Sequence, residues 1–353
     1  MKLREYQEDL VKEIQTTSSN VIAALPTGGG KSLIVQQLVV RDKTNKYAVV
    51  VRNEPLIAQL IDRLEEVGLE VGVIKAGYKF DITKEYDVYL IMEQTYWSRG
   101  IIPTDVDKVI KDEFHIGFNG KQFNHILDSL NPTKVVGLTA TPITESGIGI
   151  HNVLPDYKLL EGITTQSLID KGYLSKITYS LPTNSKLSDM LTEELSKVKI
   201  SSGDYASGEL EAVINTEEHN KLVVSEVIDK CLTKGRKTLI FASSIAHVEA
   251  LAKVFTEEGI DVVYTHSKMK KVDKDVAMEL YMTGKVNVMI NMSILTTGFD
   301  DPATDAVVLL RPTKVLRLYL QIVGRGMRIR KPLDDTLSTV EEYLEYNTKQ
   351  HKV

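Results

Sequence analysis

A short glycine-rich turn near the start of the chain limits the fold more than any other feature. Val21–Leu25 is an apolar run, Lys31–Arg41 carries helical spacing, and Pro26-Thr27-Gly28-Gly29-Gly30 stands between them. Glycine tolerates positive φ and lets the backbone approach a ligand closely, so successive N–H groups can surround phosphate oxygens. The N-terminus of the following helix adds partial positive charge. Lys31 is placed to reach β- and γ-phosphates, and Ser32 to offer its hydroxyl to Mg2+. Leu25 occupies the first glycine position of the strict Gly-x4-Gly-Lys pattern.

The rhythm around that turn extends it into a domain. Tyr47–Arg52, Asp87–Met92, Lys108–Lys111 and Lys134–Leu138 read as further strands, and Pro55–Val67 and Lys121–Leu130 as helices. Near-continuous apolar strands alternating with amphipathic helices imply a doubly wound parallel α/β sheet. The pattern resumes after residue 215. Thr238–Ala242, Asp261–Tyr264, Val286–Asn291 and Ala306–Leu310 read as strands, with Ala246–Glu257, Val272–Thr283 and Lys314–Val323 as helices. The expected organisation is one α/β domain over 1–160, an irregular connector over 161–215, and a second α/β domain over 216–353.

With 353 residues, 42% hydrophobic and 26% charged, each half can bury its own core. No apolar run reaches the roughly 18 residues of a membrane span, and the charged Met1–Tyr6 opening has no signal-peptide character. A single cysteine, Cys231, excludes an internal disulfide and is read as core packing. These features suggest a soluble, cytoplasmic protein with no membrane partner. A net charge of −5 argues against a uniformly basic coat for nucleic acid and leaves room for a narrow basic track.

Asp112-Glu113 follows the apolar Val109-Ile110-Lys111, which puts two carboxylates at a strand's C-terminal end, where ligands of such sheets bind. Asp112 can hold Mg2+ directly or through water, and Glu113 can polarise an attacking water. Gln321, Arg325 and Arg328, spaced i, i+4 and i+7, fall on one helical face. Arginine is permanently charged and suited to bidentate phosphate contact. The Gln7 amide can both donate and accept hydrogen bonds.

Taken in order, Pro26–Ser32, Asp112-Glu113-Phe114-His115, Thr139-Ala140-Thr141-Pro142, Thr297-Gly298-Phe299-Asp300-Asp301-Pro302 and Gln321–Arg328 resemble the motifs of superfamily 2 DEAD/DEAH-like helicases and translocases. The resemblance covers nearly the whole chain. Phe114 makes the tetrad neither Asp-Glu-Ala-Asp nor Asp-Glu-Ala-His. The opening and the Thr-Gly-Phe-Asp-Asp-Pro element look closest to compact DNA helicases of the XPB/phage UvsW kind. The resemblance implies two RecA-like domains that use ATP and Mg2+. Arg4, Gln7, Pro26, Thr27, Gly28, Gly29, Gly30, Lys31, Ser32, Gly298 and Asp300 would bind the nucleotide. Ser32 and Asp112 would hold the metal, while Lys31, Asp112, Glu113, Gln321, Arg325 and Arg328 would carry hydrolysis.

The same resemblance gives His115, Thr139 and Thr141 a role in coupling hydrolysis to grip. Arg52, Asn53, Gln94, Thr95, Ser243, Ser244 and His266 are candidate contacts to nucleic acid, with Trp97 read as core packing in preference to base stacking. The expected activity is an ATP-dependent helicase or translocase acting on DNA in preference to RNA. An RNA-remodelling ATPase, or the motor of a restriction or nuclease complex, is the alternative. A protein partner supplying specificity is allowed for, and no oligomeric state is favoured.

Overall fold

The computed structural model describes residues 3–52, 54–99, 103, 105–144, 147–201, 203–292 and 301–329. The chain divides into two compact units, Met1–Ser167 and Leu168–Val353. Both are built on parallel sheets within an α/β arrangement.

The first unit opens with α1 (Glu5–Thr16), β1 (Asn20–Ala24), α2 (Lys31–Arg41), β2 (Tyr47–Val51) and α3 (Glu54–Glu65). It continues through β3 (Val71–Ile74), β4 (Val88–Met92), α4 (Glu93–Arg99), β5 (Lys108–Lys111) and α5 (Lys121–Leu130). β6 (Lys134–Thr139), α6 (Ile150–Val153) and β7 (Tyr157–Glu161) complete it, and α7 (Thr165–Asp170) crosses the boundary. Seven parallel strands lie in the order β3-β4-β2-β5-β6-β1-β7. Alternate side chains feed two cores, one on each face: Val21, Ala23, Val49 and Val51 enter one, and Ile22, Ala48 and Val50 the other. α1 covers the first core with Leu10, Val11 and Ile14, the i, i+1, i+4 stripe of an amphipathic helix.

β5, α2 and α5 begin and end where the apolar pattern places them. The two strands that the pattern does not announce, β3 and β7, are the two edges of the sheet. An edge strand is sheltered less completely, so it needs no unbroken apolar run. β3 is Val-Gly-Val-Ile, with Gly72 against the rings of Tyr86 and Tyr89, and β7 has only the Leu159-Leu160 pair between Lys158 and Glu161.

The second unit holds α8 (Ser185–Lys197), β8 (Ile200–Ser201), β9 (Asp204–Tyr205), α9 (Ser207–Ile214), α10 (Glu217–Lys230) and a 3-10 turn at Leu232–Lys234. Then follow β10 (Thr238–Phe241), α11 (Ile245–Glu257), β11 (Val263–Thr265), α12 (Lys271–Met282), β12 (Val288–Asn291), β13 (Ala306–Leu309) and α13 (Leu316–Gly326). Its parallel sheet runs β11-β12-β10-β13, with Ile240 in one core and Leu239 and Phe241 in the other. Residues 161–215, read from composition as an irregular connector, carry α7, and then α8, α9 and the β8–β9 hairpin around a small core of Val198, Leu210 and Ile214. Cys231 is buried in the second unit's core, as expected of it. Among the described residues, no helix is long and apolar enough to cross a membrane.

Candidate functional site

The glycine-rich turn leaves β1 and enters α2 as the sequence requires. Leu25 N–H donates to Thr139 O at 2.8 Å, which moors the turn to β6 before the chain leaves the sheet. Gly28 and Gly30 hold φ of 87° and 86°, the left-handed region that favours glycine. Gly29 is confined too, since a Cβ there would sit 3.0 Å from Pro26 O. Lys31 and Ser32 form the first turn of α2.

Gln7 and Tyr6 meet this turn from α1. Tyr6 Oη and Gln7 Nε2 donate to the same Gly29 carbonyl, at 2.9 and 3.0 Å. Gln7 Oε1 accepts from Arg4 N at 2.9 Å, so the residues expected beside the nucleotide also brace the phosphate turn.

β6 lies between β1 and β5, so the ends of three neighbouring strands converge. Asp112–His115 turns sharply off β5, with Phe114 N–H donating to Leu138 O at 2.8 Å. Glu113 adopts φ 48°, one of two non-glycine residues in the left-handed region among the described residues. That conformation costs about 1 kcal/mol or more and aims the carboxylate back across the sheet edge. Lys31 Nζ stands 4.0 Å from Glu113 Oε1. Glu113 Oε2 is buried without a hydrogen bond among the described residues and lies 3.5 Å from His115 Nδ1. Burial, and then the neighbouring Glu113 carboxylate, pushes Asp112 up to about 7. Two crowded carboxylates whose charge is poorly compensated are a fitting seat for a divalent cation.

Phe114 replaces the small residue of the resembled tetrad, and β6 makes room for it. Its ring is fully buried, 6.1 Å edge-on to Phe123 and 5.5 Å from Tyr157. A Cβ on Gly137 would overlap that ring, so Phe114 and Gly137 are a matched pair. His115 Nδ1 meets Thr139 Oγ1 at 2.7 Å, and Thr139 Oγ1 also accepts from Thr141 N at 3.0 Å. The three coupling candidates are therefore one hydrogen-bonded cluster between β5 and β6.

Farther along the same edge, the candidate nucleic-acid residues divide. Gln94 is exposed at the start of α4, whereas Thr95 is buried and its hydroxyl accepts from Ala76 N at 3.3 Å. Arg52 Nε lies 3.1 Å from Glu93 Oε2, and fully buried Lys111 donates to the same oxygen at 3.0 Å. Burial pulls the Lys111 ammonium below the ordinary lysine range. Lys111 is not expected from the sequence to matter, and Glu93 only as part of the Glu93-Gln94-Thr95 element read as a strand-contacting loop. The available signal was a lysine inside the apolar run just before Asp112. Trp97, expected in the core, is 49% exposed and meets His125 edge-on at 5.2 Å. Only one side of the two-turn α4 faces the sheet, and Tyr96 occupies it.

In the second unit, Ser243 Oγ pairs with Nδ1 of buried His247 at 2.9 Å. Ser244 caps α11, accepting from His247 N at 2.9 Å and donating to Glu211 at 2.6 Å. His266 is buried and stacked on Tyr264. Gln321 and Arg325 share a face of α13, but the helix ends at Gly326. Arg328 is therefore not on that helical face, contrary to the i+7 expectation. Its segment is tied instead by Ser175, whose N–H donates to Met327 O at 2.8 Å and whose hydroxyl donates to Arg328 O at 3.4 Å. A helix was extrapolated through Met327, where the backbone is already committed to Ser175. Asn53, Gly298 and Asp300 lie outside the described residues.

Residues 1–144 match the family described as type III restriction enzyme, res subunit, and residues 218–330 match the helicase conserved C-terminal domain. The chain is 28% identical over 351 residues to IRC3 of Saccharomyces cerevisiae, which is named for an ATP-dependent helicase; the match covers 94% of this chain and 50% of that one. It is 27% identical over 308 residues to a 51.5 kDa protein of a Lactococcus phage, covering 86% and 61%. Among solved structures, S. cerevisiae Dbp5 bound to RNA and ADP BeF3 shares the fold, with TM-score 0.60 and 16% identity over 92% of this chain and 80% of that one. The two α/β units carry the fold of two RecA-like domains. The two family matches, one in each unit, make the chain similar to the DEAD/DEAH-like helicases of superfamily 2. It spans about half of IRC3 and about three-fifths of the phage protein.

Proposed function

We propose that the chain hydrolyses ATP to move along or separate nucleic acid, DNA in preference to RNA, in a cytoplasmic setting and with specificity supplied by a protein partner. The observation that carries this reading is the approach of Lys31 to Glu113 across the ends of β1 and β5, with Thr139 of the intervening β6 bonded to His115. A phosphate-binding lysine, a strained carboxylate and a polar switch converge where parallel sheets bind their ligands.

Each residue then has a chemical task. Lys31 and the N–H groups of Gly28–Gly30 take up phosphate charge, while Arg4 and Gln7 flank the base. Ser32 and Asp112 would hold Mg2+, which prefers few carboxylates and retains waters, and which when bound supplies positive charge to the phosphate oxygens. Glu113, with an oxygen making no hydrogen bond among the described residues, accepts the proton of the attacking water. In the second unit, Gly298, Asp300 and Gln321 are candidates for nucleotide contact, and Arg325 and Arg328 candidates for offering charge to a phosphoryl group. His115, Thr139 and Thr141 pass the state of the nucleotide to the solvent-reaching strand candidates of the first unit, Arg52 and Gln94. The preference for DNA is supported by the likeness of the opening and of the Thr297–Pro302 element to compact DNA helicases, and by the restriction-enzyme family of residues 1–144.

Steady-state ATP hydrolysis, without nucleic acid and with single-stranded DNA, forked DNA or RNA, tests the reading. DNA is expected to raise the rate. Glu113→Gln should remove about 10²–10⁴-fold of it with the thermal midpoint held or raised. Stimulation by RNA alone would move the assignment to RNA remodelling. A folded protein that binds ATP and hydrolyses none under any condition would overturn it.

A further inference from the structure

The strand ends at the C-terminal edge of the first sheet follow the order β4-β2-β5-β6-β1. The last three carry Asp112, Thr139 and the phosphate turn, which form the hydrolytic half of the edge. The first two lead into Glu93 and Arg52. A charged network joins the halves: Lys111, the residue before Asp112, and Arg52 share Glu93 Oε2 at 3.0 and 3.1 Å.

A packing role does not account for this network. Lys111 is fully buried, with its ammonium 4.4 Å over the Phe123 ring, and Glu93 is buried beside it. Apolar residues of similar volume often serve stability as well as a buried ion pair, or better. Two cations also share one carboxylate, which leaves one net positive charge. Arg52 alone of the three reaches solvent, with 34% of its side chain exposed. Its Nε is directed at Glu93, and its Nη1 lies 3.5 Å from where a Cβ on Gly117 would stand. The network thus adjoins the Asp112–Gly117 turn at both ends: Lys111 precedes it in sequence, and Arg52 stands on the open side of Gly117.

We propose that Glu93 and Lys111 are positioning residues that link occupancy of Arg52, a strand contact in the reading above, to the geometry of Asp112 and Glu113. A phosphate drawing on the Arg52 guanidinium changes its hold on Glu93. Glu93 is also the carboxylate partner of Lys111, which is covalently next to Asp112. Strand contact and water activation are thereby coupled inside one unit, through two buried side chains. This inference rests on the nucleic-acid reading above.

The test compares wild type, Glu93→Gln, Lys111→Met and the double variant in the full chain. It measures the thermal midpoint, KM for ATP, and the concentration of a single-stranded oligodeoxythymidylate giving half-maximal stimulation. Glu93→Gln leaves the Lys111 ammonium buried without its carboxylate and should lower the midpoint, whereas Lys111→Met leaves Glu93 paired with Arg52; the double change removes both buried charges and should bring the midpoint back. The double variant should still need about tenfold or more oligonucleotide, with KM for ATP within about twofold. Should the double variant regain oligonucleotide response together with its midpoint, the pair is structural and the proposal falls. If a single variant fails to fold, the double variant carries the test. A wild-type rate indifferent to every nucleic acid would overturn the parent reading, and this inference with it.

Discussion

The first sheet and the second each bury a lysine, and the two solutions are almost superimposable in chemistry. Lys111 lies 3.0 Å from Glu93 and 4.4 Å over Phe123; Lys237 lies 2.7 Å from Asp301 and 4.3 Å over Tyr281. They differ in which end of a strand they occupy. Lys237 precedes β10, at the N-terminal edge, and its surroundings close on themselves. Thr304 donates to Asp301 at 3.2 Å and meets Tyr281 Oη at 3.0 Å, and Asp305 takes the Lys237 N–H at 3.1 Å. Lys111 ends β5, at the C-terminal edge, and its carboxylate is shared with a half-exposed arginine. Ligands of parallel sheets gather at C-terminal edges. The same buried pair is therefore a clasp at one edge and a candidate relay at the other.

Asp301→Asn attacks the comparison most strongly. It leaves the Lys237 ammonium buried without a carboxylate and should cost about 3–5 kcal/mol in urea-induced unfolding of the second unit. ATP hydrolysis per folded molecule, and its response to oligonucleotide, should not change. An altered response would erase the distinction between the two edges.

Acid sharpens the contrast in another way. The C-terminal edge of the second sheet holds neutral imidazoles where the first holds a charge pair. Burial depresses both His219 and His247, His247 to about 4 from 6.5. Their unfolded forms take up protons at higher pH than their folded forms do. Stability from His247 is therefore complete above about 6.5 and is lost as pH falls toward 4. At pH 5 the loss from His247 should be about 2 kcal/mol relative to pH 7, seen in thermal unfolding. His247→Gln should flatten that slope; an unchanged slope would place the acid sensitivity elsewhere.

The smallest effect is expected on α8, where Lys197 pairs with Glu193 at 3.1 Å in full contact with solvent. Glu193→Gln should leave the thermal midpoint in place, because an exposed pair is screened and its side chains pay entropy to meet. A measurable drop would mean that charge pairs here act regardless of burial.

What could be read in advance was local. The Pro26–Ser32 turn, β5 before Asp112, and α2 and α5 follow from apolar runs, glycines and helix periodicity within a few neighbouring residues. Where partners are distant, the pattern failed. β3 and β7 are edges whose pairing, not composition, makes them strands. Trp97 was taken for core because tryptophan is bulky and apolar, yet the short α4 gives its inward side to Tyr96. Arg328 was placed on a helix that Ser175, far away in sequence, has already ended.

The chain's residues alone determined the two-fold α/β rhythm, the phosphate turn and the carboxylate pair, because each depends on backbone geometry and side chains adjacent in sequence. Tertiary structure decided which strand ends became neighbours. β6 inserts between β1 and β5 and brings Thr139 to His115; β2 lies between β4 and β5 and brings Arg52, Glu93 and Lys111 together. The reason is physical: strand order is set by how whole faces of the sheet bury their apolar side chains, and no short window of sequence contains that sum.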